Sequence, residues 1–339
     1  MNDKRLGRQT VALAHPPSVL SFSNIGGKFE GQGPLADFFD EISNDSFFGE
    51  KTWEKAEMRM QMDAESRVLK KADLRPSDID VVFAGDLLNQ CISSAYSLRG
   101  LQIPYIGLYG ACSTMAESLM LSSMFVDAGL ANRAMAVTSS HFCTAERQFR
   151  FPLEYGGQRT PTAQWTATAA GSLIVGAHGE APFVRGVCVG KIGDLGIKDL
   201  NNMGAAMAPA AADTLQTFLK DTKTSPQDYD RIFTGDLGQV GSDLLYELLS
   251  REGIDIKDRH DDCGLLLYDR ETQDVHAGGS GCGCSAGVLC SHILKLVKNG
   301  TYENVLFMAT GALMSPTSVQ QGESIPGIAH LVHISRKGE

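Results

Sequence analysis

One short motif occurs twice in this chain, 150 residues apart. The segment VVFAGDLLNQ spans residues 81–90 and RIFTGDLGQV spans residues 231–240, and both are apolar strand-like runs ending in Phe-x-Gly-Asp-Leu. Each follows a helix-like stretch and a turn containing Pro and Asp, which ends the helix and leads into the strand. The repeat predicts a duplicated α/β unit in which Asp86 and Asp236 hold equivalent positions.

The surroundings of the two copies also correspond. We predict helices over residues 53–72 and 210–221 before the motif, and over residues 115–128 and 286–297 after it. A strand-like segment follows each helix of the second pair. Helices 115–128 and 286–297 are apolar nearly all round, so we expect them to be buried between two sheets. The predicted fold is α/β, with two duplicated halves in a layered αβαβα arrangement.

The duplication also suggests how the chain divides. We predict a first half over residues 1–190, which includes an inserted loop, and a second half over residues 191–339. The division falls in the region 185–205.

Composition excludes several classes of function. The 339 residues are 43% hydrophobic and 21% charged, and 30 basic against 40 acidic residues give a formal charge of −10 with no basic block. We therefore expect no nucleic-acid binding. No run of 18 apolar residues and no signal-peptide pattern is present. The eight scattered cysteines favour reduced thiols, so an intracellular, soluble protein is expected.

Cys112 is the first candidate for chemistry. It follows a strand that ends at Gly110 and precedes a helix, so its sulfur would face unpaired amides and the positive helix end, which favour the thiolate. The alternative is a small buried residue at a tight turn. A nucleophile needs a base, and His141 is the nearest candidate along the chain, although a histidine at a loop end is as often structural.

Two further segments invite a functional interpretation. The glycine-rich segment GGSGCGCSA, residues 278–286, lacks the residues of a phosphate loop, and its Cys-x-Cys spacing is tighter than that of zinc fingers, so we expect no metal. Small residues there would instead allow close backbone contact. In residues 141–160, Arg147, Arg150 and Arg159 could clamp a carboxylate, or could pair locally with Glu146 and Glu154.

The duplicated unit with a cysteine at its first buried helix resembles the thiolase and ketoacyl-synthase superfamily. Within it, the chain resembles the stage V sporulation protein AD family in the segments AGDLLNQ, GACSTM, TSSHFCTAERQFRFPLEYGGQ, NMGAAMAPAAADT, DCGLLLY, SGCGCSA and ATGALMSPTSVQQGESIPGIAH. These motifs cover residues 81–330. The resemblance implies a protein that binds dipicolinic acid (pyridine-2,6-dicarboxylate) and supports its uptake into the developing spore.

The same resemblance implies a location and partners. Members are peripheral at the spore inner membrane and work with other proteins of the same sporulation operon, including integral membrane ones. The superfamily implies a homodimer. No cofactor is expected, except that calcium, which prefers oxygen ligands, could accompany dipicolinate.

The chain departs from the catalytic members of the superfamily. Those place a His after the first strand of the second half and an Asn at a later Gly-Asn turn, but residues 231–241 contain no His and residues 277–290 contain no Asn. We therefore expect a binding protein rather than an enzyme. The alternative is an active acyltransferase or 3-ketoacyl synthase with Cys112 as nucleophile. A third class, a structural adaptor, would bind no small molecule.

We expect the ligand pocket at Cys112. Asp194 is a second candidate, because the resemblance associates this acidic position with ligand binding, although it could equally be a turn aspartate. Trp165 could stack on a pyridine ring or belong to the core. The remaining candidates, which offer hydrogen bonds, are His141, Thr162, Gln164 and Thr166.

Overall fold

The computed structural model describes residues 4–149 and 159–338 of the chain. Within these residues the strands are β1 (Thr10–Ala12), β2 (Ser18–Gly26), β3 (Glu41–Ile42), β4 (Val81–Gly85), β5 (Tyr105–Gly107), β6 (Arg133–Ser140), β7 (Trp165–Thr166), β8 (Ala169–Gly176), β9 (Phe183–Cys188), β10 (Arg231–Thr234), β11 (His260–Asp262), β12 (Gly279–Ser280), β13 (Asn304–Ala312) and β14 (Gly327–Ser335).

The helices of the described residues are α1 (Trp53–Ala72), α2 (Ile92–Leu98), α3 (Thr114–Asp127), α4 (Phe142–Phe149), α5 (Met203–Thr222), α6 (Gly238–Ser250), α7 (Cys263–Leu267), α8 (Cys282–Val288), α9 (Leu294–Lys298) and α10 (Pro316–Gln320). A π-helical turn, Leu289–Ile293, joins α8 to α9. In this part of the chain no helix is both long enough and apolar enough to cross a membrane.

Ten strands form two five-stranded halves of identical topology. The first half has the order β5-β4-β6-β8-β2 and the second the order β11-β10-β13-β14-β9. In each half the first three strands are parallel and the next two pair antiparallel. In the described residues, the two five-stranded half-sheets share one residue pair, Ser18 of β2 with Phe183 of β9. The predicted duplication is therefore confirmed, and Asp86 and Asp236 follow the equivalent strands β4 and β10.

The duplication extends to the turns that lead into these strands. Helices α1 and α5 each have 20 residues, and each ends in a left-handed residue, Asp73 or Lys223. A 3-10 turn follows in both halves, Pro76–Asp78 and Pro226–Asp228, and in each the aspartate accepts the amide of the residue before the proline. Pro stops the helix and Asp caps the turn, so the chain enters β4 and β10 in the same way.

The helices complete five layers. Helix α1 packs on β2 and β8 of the first half-sheet, and α5 packs on β13 and β14 of the second. Between the sheets, α3 contacts β4 and β6 of its own half and β13 and β14 of the other. Helix α8 packs on β6 and β8, which belong to the first half, and touches α3. Met115 and Leu119 of α3 are fully buried, as the all-round apolar pattern predicted.

The structure corrects two predicted boundaries. Helix α5 begins at Met203 rather than at residue 210, because Asn202 caps its first turn and Pro209 is accommodated inside the helix. The predicted helix 286–297 begins earlier, at Cys282, and is interrupted by the π turn. Strand β9 lies before the predicted division at residues 190–191 but pairs within the second half-sheet. This pairing does not test where the chain divides, and the division stays a prediction.

Candidate functional site

A cavity of about 330 Å³ opens at the N-terminal end of α3. Strands β7 and β12 pair there and place Thr166 of the first half beside Ser280 of the second. The described residues that line the cavity include a single carboxylate and no Lys, Arg or His. They are Leu87, Tyr109, Ala111, Cys112, Ala145, Glu146, Phe149, Thr166, Met203, Ser280, Ala312, Leu313, Met314, Ser315 and Ser318.

Cys112 lies in the 3-10 turn that precedes α3 and is 6% exposed. Its sulfur lies 3.9 Å from the Ser280 hydroxyl and contacts the carboxylate of Asp236. Burial, followed by the Asp236 charge, raises the pKa of the Cys112 thiol well above its ordinary value. The prediction of a thiolate is therefore wrong, because the effect of burial and a neighbouring anion exceeds that of the helix end.

Asp236 is fully buried and is surrounded by hydrogen-bond donors. Its carboxylate accepts bonds from the Ser280 hydroxyl at 3.0 Å, the Gly281 amide at 2.9 Å and the Thr310 hydroxyl at 2.8 Å, as well as from Cys112. Burial raises the pKa of Asp236, and these donors act in the opposite direction because they favour the anion. An ionised carboxylate accepts hydrogen bonds and cannot act as the donor that an acyl-transfer oxyanion needs, whereas the protonated acid could donate one.

Thr166 and Glu146 form a second polar part of the wall. The Thr166 hydroxyl donates to Glu146 Oε1 at 3.2 Å, and both residues are buried. The sequence pattern had suggested Glu146 only as an ion-pair partner for arginines. Its place on α4, one turn after the start of that helix, makes it part of the cavity instead.

His141 and Gln164 lie behind the cavity wall rather than in it. The Nε2 atom of His141 is 2.8 Å from the Ser46 carbonyl oxygen, and its Nδ1 accepts the Cys143 amide at 3.2 Å. Burial lowers the pKa of His141, so it is a neutral, fully bonded residue. The Gln164 side chain donates to the carbonyl oxygens of Asp236 and Gly279 and supports that segment.

Three other candidates lie outside the cavity wall. Trp165 stacks on Phe142, with ring centroids 3.8 Å apart. Thr162 is half-buried, and its hydroxyl bonds to that of the exposed Thr160. Asp194 is on an exposed segment, where it accepts a 2.5 Å hydrogen bond from Ser324. Of the seven predicted site residues, the structure brings only Cys112 and Thr166 together at the cavity.

The arginines considered for a carboxylate clamp pair elsewhere. Arg147 forms an ion pair with Glu54, and Arg159 pairs with Asp274 and lies over the Trp165 ring. Neither lines the cavity, and neither partner is the one that sequence proximity suggested. Arg150 lies outside the described residues.

The glycine-rich segment makes the close contact that was predicted. A Cβ atom on Gly283 would lie 2.3 Å from the carbonyl oxygen of Ala169 on β8. Two residues of metal-ligand type in or near this segment make hydrogen bonds within the protein: the Cys282 thiol donates to the Ser139 carbonyl, and the His260 ring bonds to the Thr234 hydroxyl. Among residues 4–149 and 159–338, no group of three or more His, Cys, Asp or Glu side chains could hold a metal ion.

The sequence has clear relatives. Residues 7–335 match the profile of the stage V sporulation protein AD family. The chain is 46% identical over 335 residues to the stage V sporulation protein AD of Bacillus subtilis (strain 168), with 99% of each chain covered.

Solved structures share the fold at low sequence identity. An acetyl-CoA acetyltransferase from Syntrophomonas wolfei superposes with a TM-score of 0.63 at 9% identity, covering 95% of this chain and 100% of that one. The 3-oxoacyl-[acyl-carrier-protein] synthase III from Aquifex aeolicus VF5 gives 0.57 at 12% identity, covering 94% and 99%. At such identities the comparison establishes the fold alone, which is thiolase-like.

Proposed function

This chain belongs to the stage V sporulation protein AD family, and from that premise we propose that it binds dipicolinic acid and supports its uptake into the developing spore without catalysing a reaction. The observation that carries the non-catalytic part is the pair formed by Cys112 and Asp236. The neighbour of the thiol is a carboxylate rather than an imidazole, and its negative charge raises the pKa of the thiol, so the site favours binding over acyl transfer.

The cavity at Cys112 is the proposed ligand site. Its volume of about 330 Å³ and its mixture of apolar and hydroxyl-bearing walls suit a small ring with polar groups at its edge. The N-terminal end of the 14-residue helix α3 favours a carboxylate there. Glu146 in the wall opposes a dianion, so a proton or a cation such as calcium would offset the repulsion.

Asp194 would act on this site through a loop. Its bond to Ser324 ties it to the segment after β13, and Leu313 and Ser315 of that segment line the cavity. We expect Asp194→Ala to weaken dipicolinate binding several-fold and Asp194→Asn, which keeps an acceptor for Ser324, to restore most of it. If the Asn variant loses as much as the Ala variant, the charge itself acts on the ligand.

Calorimetric titration with dipicolinic acid, with and without calcium, tests the proposal. We expect the wild-type chain to bind and Cys112→Phe, whose ring fills the cavity, to lose at least about tenfold in affinity. The matched control is Cys143→Phe, because Cys143 is half-buried on α4 and does not line the cavity. A wild-type chain that binds no dipicolinate would instead be a structural adaptor, and the proposal would fail.

The second candidate is an active acyltransferase or 3-ketoacyl synthase that uses Cys112. It is favoured by the position of a cysteine at the start of a long buried helix, beside a cavity. Mass spectrometry after incubation with a panel of acyl-CoA thioesters separates the two functions. A stable acyl adduct on Cys112 together with turnover would establish the enzyme.

The proposed setting is the periphery of the spore inner membrane, with integral membrane proteins of the same operon as partners and a homodimer as the assembly. The free edge of the first half-sheet supports the dimer. Ile106 on edge strand β5 is 41% exposed, and Ile92 and Tyr96 of α2, a helix that contacts β5, are exposed as well.

A further inference from the structure

A second cavity, of about 240 Å³, lies at the far end of β14 from the Cys112 site. Strand β14 starts at Gly327, which pairs with Ala312 of the Cys112 cavity. His333, six residues further along, lines the second cavity. At roughly 3.4 Å per residue the two sites are about 20 Å apart, so they are separate.

Arg185 is the charged group of this second cavity. In the ladder between β9 and β14, His333 pairs with Gly186 and Ile334 with Val184, which leaves Arg185 as the extra residue of a β-bulge. Bulges redirect side chains, and here the side chain lines the cavity. To none of the described residues does the Arg185 guanidinium make a hydrogen bond or an ion pair. A half-buried cation has lost part of its hydration, so an anion in the cavity would stabilise it.

The first half-sheet has an equivalent corner, next to the matching bulge between β2 and β8, and it provides a comparison. The ladder between β2 and β8 has the same irregularity, and there the extra residue is Leu20. Leu20 packs into an apolar cluster with Val68, Ala72, Leu74 and Ile79. This corner is therefore filled with aliphatic side chains, as a packed core requires.

In the second half the same corner is polar and open. Helices α1 and α5 are offset by 150 residues, and at this offset the positions of the four aliphatic residues are occupied by Phe218, Thr222, Thr224 and Tyr229. At the bulge, Arg185 takes the place of Leu20. Four aliphatic side chains are thus replaced by two aromatic rings and two hydroxyls. The sequence change converts a filled core position into a cavity with a cation.

The hydroxyl groups of this corner form a chain with a fixed direction. Thr222 donates to the Phe218 carbonyl at 2.7 Å, so Thr224, 2.7 Å away, must donate to Thr222. Tyr229, 2.9 Å from Thr224, must then donate to Thr224. The hydroxyl protons of Tyr229, Thr224 and Thr222 are therefore all used in bonds within this chain. Arg185 is thereby left as the donor that an anion in the cavity would meet.

We propose that this cavity binds a small aromatic monocarboxylate, with its carboxylate on Arg185. A guanidinium pairs with a carboxylate through two parallel hydrogen bonds. The rings of Tyr229 and His333 lie 5.4 Å apart at 90° and offer a surface for a planar body. The C-terminal end of α5 at Thr222 carries partial negative charge, which opposes any anion in the cavity and opposes a dianion more strongly than a monoanion.

At neutral pH, His333 adds no positive charge to the cavity, which fits a ligand with a single negative charge. Burial, with Arg185 as a second cause, lowers the pKa of His333 to about 4. At neutral pH the ligand would therefore meet one cation in the cavity, the guanidinium. Neither of the two nearby aspartates forms an ion pair with Arg185 in the described residues: Asp228 accepts the Ser225 amide and hydroxyl, and Asp221 lies against Gly7.

The test is a calorimetric titration of the full chain with benzoate. We expect wild type to bind benzoate, and Arg185→Leu, which installs the residue of the first half, to lose at least about tenfold in affinity because a charge-assisted pair is removed. Inorganic phosphate is the comparison anion and should bind more weakly. No benzoate binding by wild type, or equal binding by wild type and Arg185→Leu, would overturn the proposal.

Two controls keep the outcome interpretable. The titration is repeated in Cys112→Phe, where the first cavity is filled, and benzoate binding should persist. If Arg185→Leu has a lower melting temperature, Arg185→Gln, which keeps polarity and length but not charge, should show the same loss of benzoate. Arg185→Leu should still bind dipicolinate like wild type, so the failure of one site is distinguishable from the failure of the other.

Discussion

At the scale of single residues, Asp236 controls the reactivity of Cys112. The carboxylate raises the pKa of the thiol, so Asp236→Asn should lower that pKa and increase the fraction of thiolate at pH 8. We expect iodoacetamide to alkylate Cys112 roughly threefold faster for each unit by which the pKa falls, because the thiolate fraction rises tenfold while the thiolate becomes less nucleophilic. Peptide mass spectrometry measures the rate.

The half-buried Cys143 serves as the internal control for that experiment. It should react at the same rate in wild type and in Asp236→Asn, because its raised pKa comes from burial and from Glu146 rather than from Asp236. Equal Cys112 rates in the two proteins would mean that the carboxylate does not influence the thiol.

Single residues also mark the limit of what sequence could predict of the site. Cys112 could be found because a strand, a tight turn and a buried helix follow one another along the chain. The bonding of His141 could not, because Ser46, which binds its ring, is 95 residues away. Trp165 offered a flat ring, but only packing decides that Phe142 already covers it.

At the scale of secondary structure, α1 carries a buried row of polar side chains, two of which are acids. Glu57, Gln61 and Glu65 lie on one face of the helix, and Ser94 links Gln61 to Asp86. Burial raises the pKa of Glu57 and of Glu65 to about 8, from a usual value of 4.5. The folded state therefore keeps protons that the unfolded state has lost, and this contribution to stability disappears as the pH rises from about 4.5 to about 8.

The pH window for a test follows from the histidines. The pKa values of His260, His330 and His333 are lowered to about 4, so these groups favour the fold above pH 6.5 and lose that effect as the pH falls. Between pH 6.5 and 8 the carboxyls dominate, and we expect the melting temperature to fall. Glu65→Gln, which cannot ionise, should reduce the slope. An unchanged slope would mean that Glu65 is already ionised in the folded protein.

The contact of α8 with β8 gives a second test at this scale. Gly283→Ala should destabilise the protein by about 1–3 kcal/mol, because the added methyl group meets the backbone of Ala169. Gly100→Ala is the control, since no atom lies within 4 Å of its added Cβ. Urea unfolding measures both. Equal stability of the two variants would show that the helix end can shift freely.

Elements were predictable where local signals agreed with packing. Helix α1 was predicted at its observed bounds, because a Thr cap precedes it and a Pro turn follows. The start of α5 was missed because Pro209 imitates a stop signal, while the cap at Asn202 has no apolar periodicity beside it. The π turn Leu289–Ile293 has no sequence signal that we can identify.

At the scale of the whole molecule, the free edge of β5 tests the proposed dimer. A charge at the centre of an interface is unfavourable, so Ile106→Glu should convert a dimer into a monomer. Light scattering after size-exclusion chromatography measures the mass. Leu130→Glu, at a residue that is 68% exposed before β6, should leave the mass unchanged. A wild-type chain that is already monomeric would remove the proposal.

The position of α8 has a consequence for how the molecule unfolds. This helix belongs to the second half in sequence but packs on β6 and β8 of the first, while α3 reaches across to β13 and β14. Neither half can bury its own central helix alone, although in the described part of the chain the two half-sheets share only one residue pair. The two copies of the unit have therefore become one cooperative unit, and heat should unfold them in a single two-state transition.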